Sequence, residues 1–260
     1  MELLKFTVLS KYPRMKHFIS TRKGGVSKMP FGELNLALYV GDDKKNVLSN
    51  RKMLANGMRL KPSEFVYLKQ TNNCRIKHVL TKHRGRGARK MASAIGGFDA
   101  MITDSPETCL VVQVADCVPV LLFDPKKEVI AAIHAGWKGT MKEISKKTVD
   151  KMKREFSCNP ADILAGIGPS IGPCCFEVKE NVFHIANIIY SAYEEVVIKR
   201  RNKTFVDLWQ ANKIQLVRAG LLESNIEISS VCTTCNTDRF YSVRKEKDTG
   251  RFVAGIVLKR

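Results

Sequence analysis

Cys117 and His134 are the two side chains whose type and placement point most directly to chemistry. Cys117 lies in Ala115-Asp116-Cys117-Val118-Pro119-Val120 and His134 in Ile133-His134-Ala135-Gly136-Trp137, at the ends of two apolar segments joined by a short polar turn. A thiolate and an imidazole brought together either bind a soft divalent metal or work as nucleophile and base. Ala135 and Gly136 are small enough to let a ligand approach the backbone after the histidine. The competing reading is a buried thiol beside a hydrogen-bonded core histidine, since cysteine is among the most buried residue types. A third group decides between these cases.

The elements that must position the pair read as short strands mixed with a few helices. Apolar runs at 109–114, 118–123 and 129–134 have strand length and β-branched content, with Asp124-Pro125-Lys126-Lys127 as the turn between the last two. A further run at 163–167 enters the loop Gly168-Pro169-Ser170-Ile171-Gly172-Pro173, and C-terminal strands are expected at 226–231, 240–243 and 252–258. After His134, Thr140-Met141-Lys142-Glu143 has capping-box form, and Met141, Ile144, Thr148, Met152 and Phe156 recur at helical spacing. A second helix is expected over about 179–199. A third starts at the N-cap Asp207, with Leu208, Ala211, Ile214, Val217 and Leu221 on one face. The expectation is an α+β fold: a single layered domain over 1–260, with mixed β-sheets flanked by helices.

Other candidate sites carry weaker signals. Gly24-Gly25 follows Arg22 and could form a backbone concavity for an anion; an ordinary basic turn is the simpler alternative. Residues 82–90, Lys-His-Arg-Gly-Arg-Gly-Ala-Arg-Lys, form the densest basic run, read either as a lid that attracts phosphate or as a solvated loop. Arg244 and Arg251 flank a terminal turn and are further anion candidates. Cys232-Thr233-Thr234-Cys235 has zinc-knuckle spacing, but Cys174-Cys175 is a poor second knuckle because adjacent residues rarely share a tetrahedral centre. No zinc site is therefore expected at these four cysteines.

Composition narrows the class. The chain has 260 residues, 44% hydrophobic and 27% charged, which suits a globular protein with a substantial core. Its formal net charge of +19 raises the local concentration of anions. No zinc-finger spacing, ribonucleoprotein motif or basic zipper accompanies that charge, so nucleic acid is not the expected partner. The first residues lack an apolar signal core, and the apolar runs are too short to span a bilayer. A cytoplasmic protein without membrane partners is expected, its eight cysteines remaining as thiols or metal ligands.

Taken in order, the motifs resemble the YfiH-type laccase-domain family, whose members are also called polyphenol oxidases and purine nucleoside phosphorylases. The landmarks are Ser20-Thr21-Arg22-Lys23-Gly24-Gly25-Val26-Ser27, Leu34-Asn35-Leu36, Val40-Gly41-Asp42, Asn50-Arg51, Asp99-Ala100, Ala115-Asp116-Cys117, His134-Ala135-Gly136-Trp137, Ile167-Gly168-Pro169, Ile171-Gly172-Pro173, Ser242-Val243-Arg244 and Thr249-Gly250-Arg251. The resemblance covers about residues 21–256 and implies an αββα-like layered fold. It also implies a divalent metal, usually zinc, held by a histidine of a Gln-Val-His segment, the cysteine of Ala-Asp-Cys and the histidine of His-Ala-Gly-Trp. Cys117 and His134 match two of these ligands. Gln70-Thr71-Asn72 aligns with the first, so Asn72 stands in the histidine's place. An amide oxygen is a poorer zinc donor than imidazole. Cys74 and His78 are the candidate substitutes, because 72, 74 and 78 share a face if this stretch is a strand.

The activity implied is phosphorolysis of purine nucleosides such as inosine and adenosine, together with adenosine deamination. Cys117 and His134 are then catalytic, Asp116 is a candidate proton carrier, and Arg22, Gly24, Gly25 and Arg244 are candidates for phosphate. A copper polyphenol oxidase is disfavoured, because multicopper sites need many histidines and this chain has five. A metal-free cysteine amidohydrolase acting on cell-wall precursors and a non-catalytic family member remain as alternatives.

Overall fold

Residues 118–123 are apolar at every position because both faces of their strand meet a core. The computed structural model describes residues 1–259. In it Val120 and Leu122 pack with helical residues such as Ile144 and Ile214, while Leu121 and Phe123 pack against a second sheet through Leu110, Val112 and Phe252. The period-2 alternation of a strand divides its side chains between the two cores.

Two six-stranded mixed sheets form the two inner layers. One runs, in spatial order, Leu3–Leu4, Met15–Ser20, Phe252–Leu258, Cys109–Val114, Phe65–Lys69 and Ile95–Gly96. The other runs Ile226–Ile228, Leu164–Ile167, Val118–Asp124, Val129–Ala135, Ala100–Thr103 and Ile76–His78. Helix Lys44–Met58 covers the outer face of the first sheet through Leu54, Ala55 and Met58. Helices Ile144–Phe156 and Leu208–Arg218 cover the outer face of the second. Glu177–Val178, Lys203–Val206 and Val197–Arg200 make a small antiparallel third sheet. The layering is the αββα arrangement expected from the sequence.

The expected hairpin is present. Val118–Asp124 pairs antiparallel with Val129–Ala135, placing Val118 opposite Ala135 and Pro119 opposite His134. The Asp124 carboxylate accepts the Lys126 and Lys127 backbone N–H groups and so closes the turn. Asp207 caps its helix as expected, accepting from the Trp209 and Gln210 backbones.

Three local expectations fail for identifiable reasons. Thr140 and Glu143 do not make a capping box: a short helix at Trp137–Met141 intervenes, Glu143 turns left-handed (φ 58°), and Asn212 donates to the Thr140 hydroxyl. The helix expected over 179–199 ends at Ile189, and the β-branched Val197 and Ile198 join a strand instead. Phe240 and Tyr241 are fully buried but form no strand, because Ser242 caps a short helix, Val243–Glu246, by accepting from the Lys245 backbone. The basic run is no free lid: Arg84 donates to Thr108 and Pro106, Arg86 to Ser93, and His83 accepts from the Leu80 backbone.

His17 gives the fold a specific pH dependence. It is 2% exposed, and its Nε2 accepts the Phe6 N–H at 2.8 Å, which requires a neutral ring. Burial, reinforced by the Lys5 charge, pushes its pKa down from 6.5 to about 4. At pH above 6.5 the folded and unfolded chains both hold it neutral, and its contribution to stability is complete. As pH falls from 6.5 to about 4 only the unfolded chain gains the proton, costing on the order of 3 kcal/mol. We expect His17→Gln, which keeps an acceptor, to flatten the decline of the urea midpoint across that window. An unchanged pH slope would show that other groups govern it.

Candidate active and metal site

The hairpin register brings the two sequence-marked residues together. Cys117 precedes Val118 at the sheet end where His134 sits opposite Pro119, and the Cys117 sulfur and the imidazole Cε1 approach the same point over Gly136. The neighbouring strand Ala100–Thr103 pairs Ala100 with Ile133, so Asp99 reaches the same end. His134 Nδ1 lies 2.8 Å from Asp99 Oδ1, and the His134 backbone N–H donates to the Asp99 carbonyl at 2.7 Å. A carboxylate on Nδ1 fixes the tautomer and leaves Nε2 for a metal or the thiol.

Asp99 is a candidate site residue that sequence reasoning missed. Its signal was limited to a carboxylate at the start of a strand, within the landmark Asp99-Ala100. Its side chain is fully buried and also accepts backbone N–H groups from Thr71, Asn72 and Asn73 at 2.8–3.2 Å. Burial opposes the charge, but the hydrogen bonds from His134, Asn73 and Thr71 outweigh it and hold the carboxyl below its ordinary range. One carboxylate therefore orients the imidazole and shapes the loop that carries Asn72. Gln70 anchors the start of that loop by exchanging two 2.8 Å bonds with the Gln113 backbone.

Asn72 itself faces the pair. It adopts φ 57°, a left-handed conformation asparagine tolerates well. A Cβ built on Gly136 would lie 2.7 Å from Asn72 Oδ1, 3.2 Å from Cys117 Sγ and 3.7 Å from His134 Cε1. The three donors thus converge over a glycine whose missing side chain leaves the space between them open. Sulfur, imidazole nitrogen and amide oxygen make a set that fits a divalent metal, more weakly than one with a second imidazole.

The two candidate substitutes have other partners. Cys74 Sγ lies 3.7 Å from Lys147 Nζ and packs on the helical core, and His78 pairs with Glu155 at 3.1 Å beside Phe156. The shared-face argument fails because the strand begins only at Ile76, after the left-handed turn at Asn72.

The remaining candidates separate by location. A cleft of about 370 Å³ opens beside Cys117, walled by Trp137, Ile171, Phe176, Leu208 and Val243, with Arg244 at its edge. Arg244 Nη1 donates to the carbonyls of Cys175 and Glu177. Asp116 also lines this cleft, and its carboxylate accepts from Thr233 and Thr234 and from the Arg244 backbone at 2.7 Å. Arg22 is nearly buried, ion-paired to Glu246 at 2.7 Å and bonded to the carbonyls of Gly32 and Thr237, in a different depression. Gly24 N–H is taken by Glu33, and a Cβ on Gly25 would meet the Glu33 carbonyl oxygen at 2.3 Å. The two glycines serve close packing, and the anion role expected of Arg22, Gly24 and Gly25 gains no support from their positions.

The four cysteines set aside on spacing grounds do converge: the sulfurs of Cys174, Cys175, Cys232 and Cys235 all lie within 4.8 Å of one another. Adjacent side chains on a strand point to opposite faces, but Cys174 and Cys175 occupy a turn. Among the described residues no helix is long and apolar enough to cross a membrane.

Comparison with known proteins places the chain in a family. The family model described as multi-copper polyphenol oxidoreductase laccase matches residues 16–259. A purine nucleoside phosphorylase of Bacteroides thetaiotaomicron is 34% identical over 99% of this chain and 97% of its own. An adenosine deaminase, RL5, from an unknown prokaryotic organism is 32% identical over 99% of each chain. The crystal structure of the hypothetical protein YfiH from Bacillus licheniformis superposes with a TM-score of 0.93 at 35% identity, covering 96% of this chain and 94% of that one. With family model, relatives and fold agreeing over nearly the whole length, this chain belongs to the YfiH-type laccase-like family.

Proposed function

We propose that this protein is a purine nucleoside phosphorylase that cleaves inosine or adenosine with phosphate and also deaminates adenosine. The observation that carries this reading is the convergence of Cys117, His134 and Asn72, with Cys117 also lining an apolar cleft edged by Arg244. The relatives named for these two activities support the same assignment.

The cleft volume is in the range of small-molecule sites, and its walls suit a flat heterocycle. Trp137 and Phe176 offer aromatic faces, while Ile171, Leu208 and Val243 exclude water from the base. Arg244 commits Nη1 to two carbonyls, and its remaining guanidinium donors are the candidates for phosphate. Phosphate attacks the ribose anomeric carbon as the glycosidic C–N bond breaks, and the bonding pair passes to the purine. Zinc held by Cys117, His134 and Asn72 would supply Lewis-acid polarisation of the substrate. Asp99 keeps the imidazole in the tautomer and orientation that this requires. The eight free thiols suit a reducing compartment, and we place the protein in the cytoplasm.

One observation favours a second reading. Asp99, His134 and Cys117 form a carboxylate–imidazole–thiol series, the arrangement of a cysteine nucleophile with its base and orienting group. Burial opposes protonation of His134, yet the Cys117 charge and the Asp99 hydrogen bond push its pKa up to about 9 in the metal-free site. A metal-free amidohydrolase would use that pair. Copper oxidation finds no comparable support in the side chains around the cleft. His17, His78, His83 and His184 are bonded elsewhere, and His134 is the one histidine beside the cleft among the described residues.

The test is incubation of zinc-supplemented protein with inosine or adenosine, with and without phosphate. Phosphate-dependent release of free base is expected, falling by about two orders of magnitude or more in Cys117→Ala. Absence of turnover in zinc-supplemented protein would overturn the assignment, and amide hydrolysis insensitive to chelators would favour the second reading.

A further inference from the structure

We propose that Cys174, Cys175, Cys232 and Cys235 form a second, structural metal site that takes a tetrahedral thiophilic ion, zinc by preference. It is separate from the Cys117–His134 pair and does not depend on the proposed nucleoside chemistry.

The geometry of the sulfurs is the first argument. Cys174 and Cys175 Sγ lie 3.6 and 3.4 Å from Cys235 Sγ, and all four sulfurs fall within 4.8 Å of one another. Zinc–sulfur bonds of about 2.3 Å at tetrahedral angles put ligand sulfurs roughly 3.8 Å apart. The cluster is thus already near the span such an ion needs, whereas a disulfide requires about 2.05 Å between two sulfurs. Binding requires only rotamer adjustment and loss of the thiol protons to solvent.

The backbone around the cluster is the second argument. Cys232-Thr233-Thr234-Cys235 is a tight turn in which the Asn236 N–H and its side-chain amide both donate to the Cys232 carbonyl. The Gly172 N–H donates to Cys232 Sγ at 3.2 Å, a bond that stabilises a thiolate ligand. The Arg244 guanidinium, bonded to the Cys175 carbonyl, places a positive charge beside the thiolates. Cys174 and Cys235 are exposed, giving the ion a route in from solvent.

The position of the cluster explains what it would do. One cysteine pair lies between Ile171 and Phe176, two walls of the cleft, with Phe176 directly after Cys175. The other pair brackets Thr233 and Thr234, which hold the Asp116 carboxylate next to Cys117. The cluster joins two loops whose other direct tie is the Ser170–Cys232 bridge and its neighbouring bonds. An ion at this point would staple one cleft wall to the loop that positions the residue beside the catalytic thiol.

The experiment uses the full chain carrying Cys117→Ala and His134→Ala, which removes the first site. Purified from zinc-supplemented medium, this variant is expected to keep about one zinc per chain by elemental analysis. Adding Cys174→Ser and Cys235→Ser is expected to cut that content at least about tenfold. Cobalt loading of the Cys117→Ala, His134→Ala protein checks the same point without touching the cluster, by giving the intense d–d absorption of tetrahedral thiolate coordination. Less than a tenth of an equivalent of zinc with no such cobalt spectrum, or a disulfide within the cluster in protein purified under reducing conditions, would overturn the proposal. Zinc retention by the variant, together with absence of phosphorolysis in the zinc-supplemented parent protein, would leave this site standing while removing the nucleoside reading.

Discussion

Asn72→His is expected to raise zinc affinity roughly ten- to a hundred-fold, a range that even changes outside the ligand shell produce. Zinc favours nitrogen and sulfur donors, and the amide oxygen now opposite Cys117 and His134 is the weakest of the three. The exchange is sterically reasonable, because Gly136 leaves open space where the donors meet. Residue 72 sits at φ 57°, a conformation that histidine adopts more readily than most side chains. The backbone cost of about 1 kcal/mol falls on the folded protein with and without metal alike, so it lowers stability rather than zinc affinity. Competition against a chromophoric chelator measures the affinity, and phosphate-dependent release of base from inosine follows the consequence. A variant with unchanged affinity for the Cys117–His134 site would show that residue 72 is not a ligand position in this protein.

Asp99→Asn is expected to lower metal affinity by about 10- to 100-fold while preserving side-chain shape. No orientation of the new amide suits the site. With its oxygen toward His134 and Asn72, its NH2 meets the Asn73 N–H now bonded at 2.8 Å. With the amide reversed, NH2 faces His134 Nδ1 and forces the ring proton onto Nε2, the atom needed for the metal or the thiol. Nitrogen NMR of the imidazole distinguishes this loss of positioning from simple destabilisation, because only the former changes the tautomer. The stability term has a definite sign as well. The Asp99 pKa is held below its ordinary value, so its stabilisation is present above that value and is lost as acid protonates the folded carboxyl. Asp99→Asn should therefore lower the melting temperature at neutral pH and narrow the difference from the parent protein in acid. An unchanged tautomer and unchanged zinc affinity would remove Asp99 from the site.

Much of the fold was legible because its signals are local. The turn at Asp124 and the N-cap at Asp207 depend on side chains bonding to nearby backbone, and both formed as read. The failures have different causes: a remote side chain claims Thr140, whereas local caps and β-branched residues redirect the other two segments. Thr140 is bonded by Asn212 from another helix, and buried Phe240 and Tyr241 mimic a strand while Ser242 starts a short helix.

The candidate site divides along the same line. Cys117, His134 and Asn72 were identifiable from the sequence, because each stands in or opposite an ordered motif of residues close in the chain. Asp99 was not, since its role comes from the pairing of Ala100 with Ile133, across more than thirty positions. The basic residues pointed the other way. Arg22 stands in a basic turn in the sequence, and only the fold shows that Glu246, 224 positions distant, pairs with it.

By itself the sequence determined the family, the layered α+β architecture and the residue that stands in place of the family's histidine, because these depend on residue types in order along the chain. Only the tertiary structure decided that Asn72, rather than Cys74 or His78, faces the Cys117–His134 pair, and that four cysteines near 174 and 232 meet. Direction and distance between remote segments follow from sheet register and turn conformation, and spacing along the chain does not contain them.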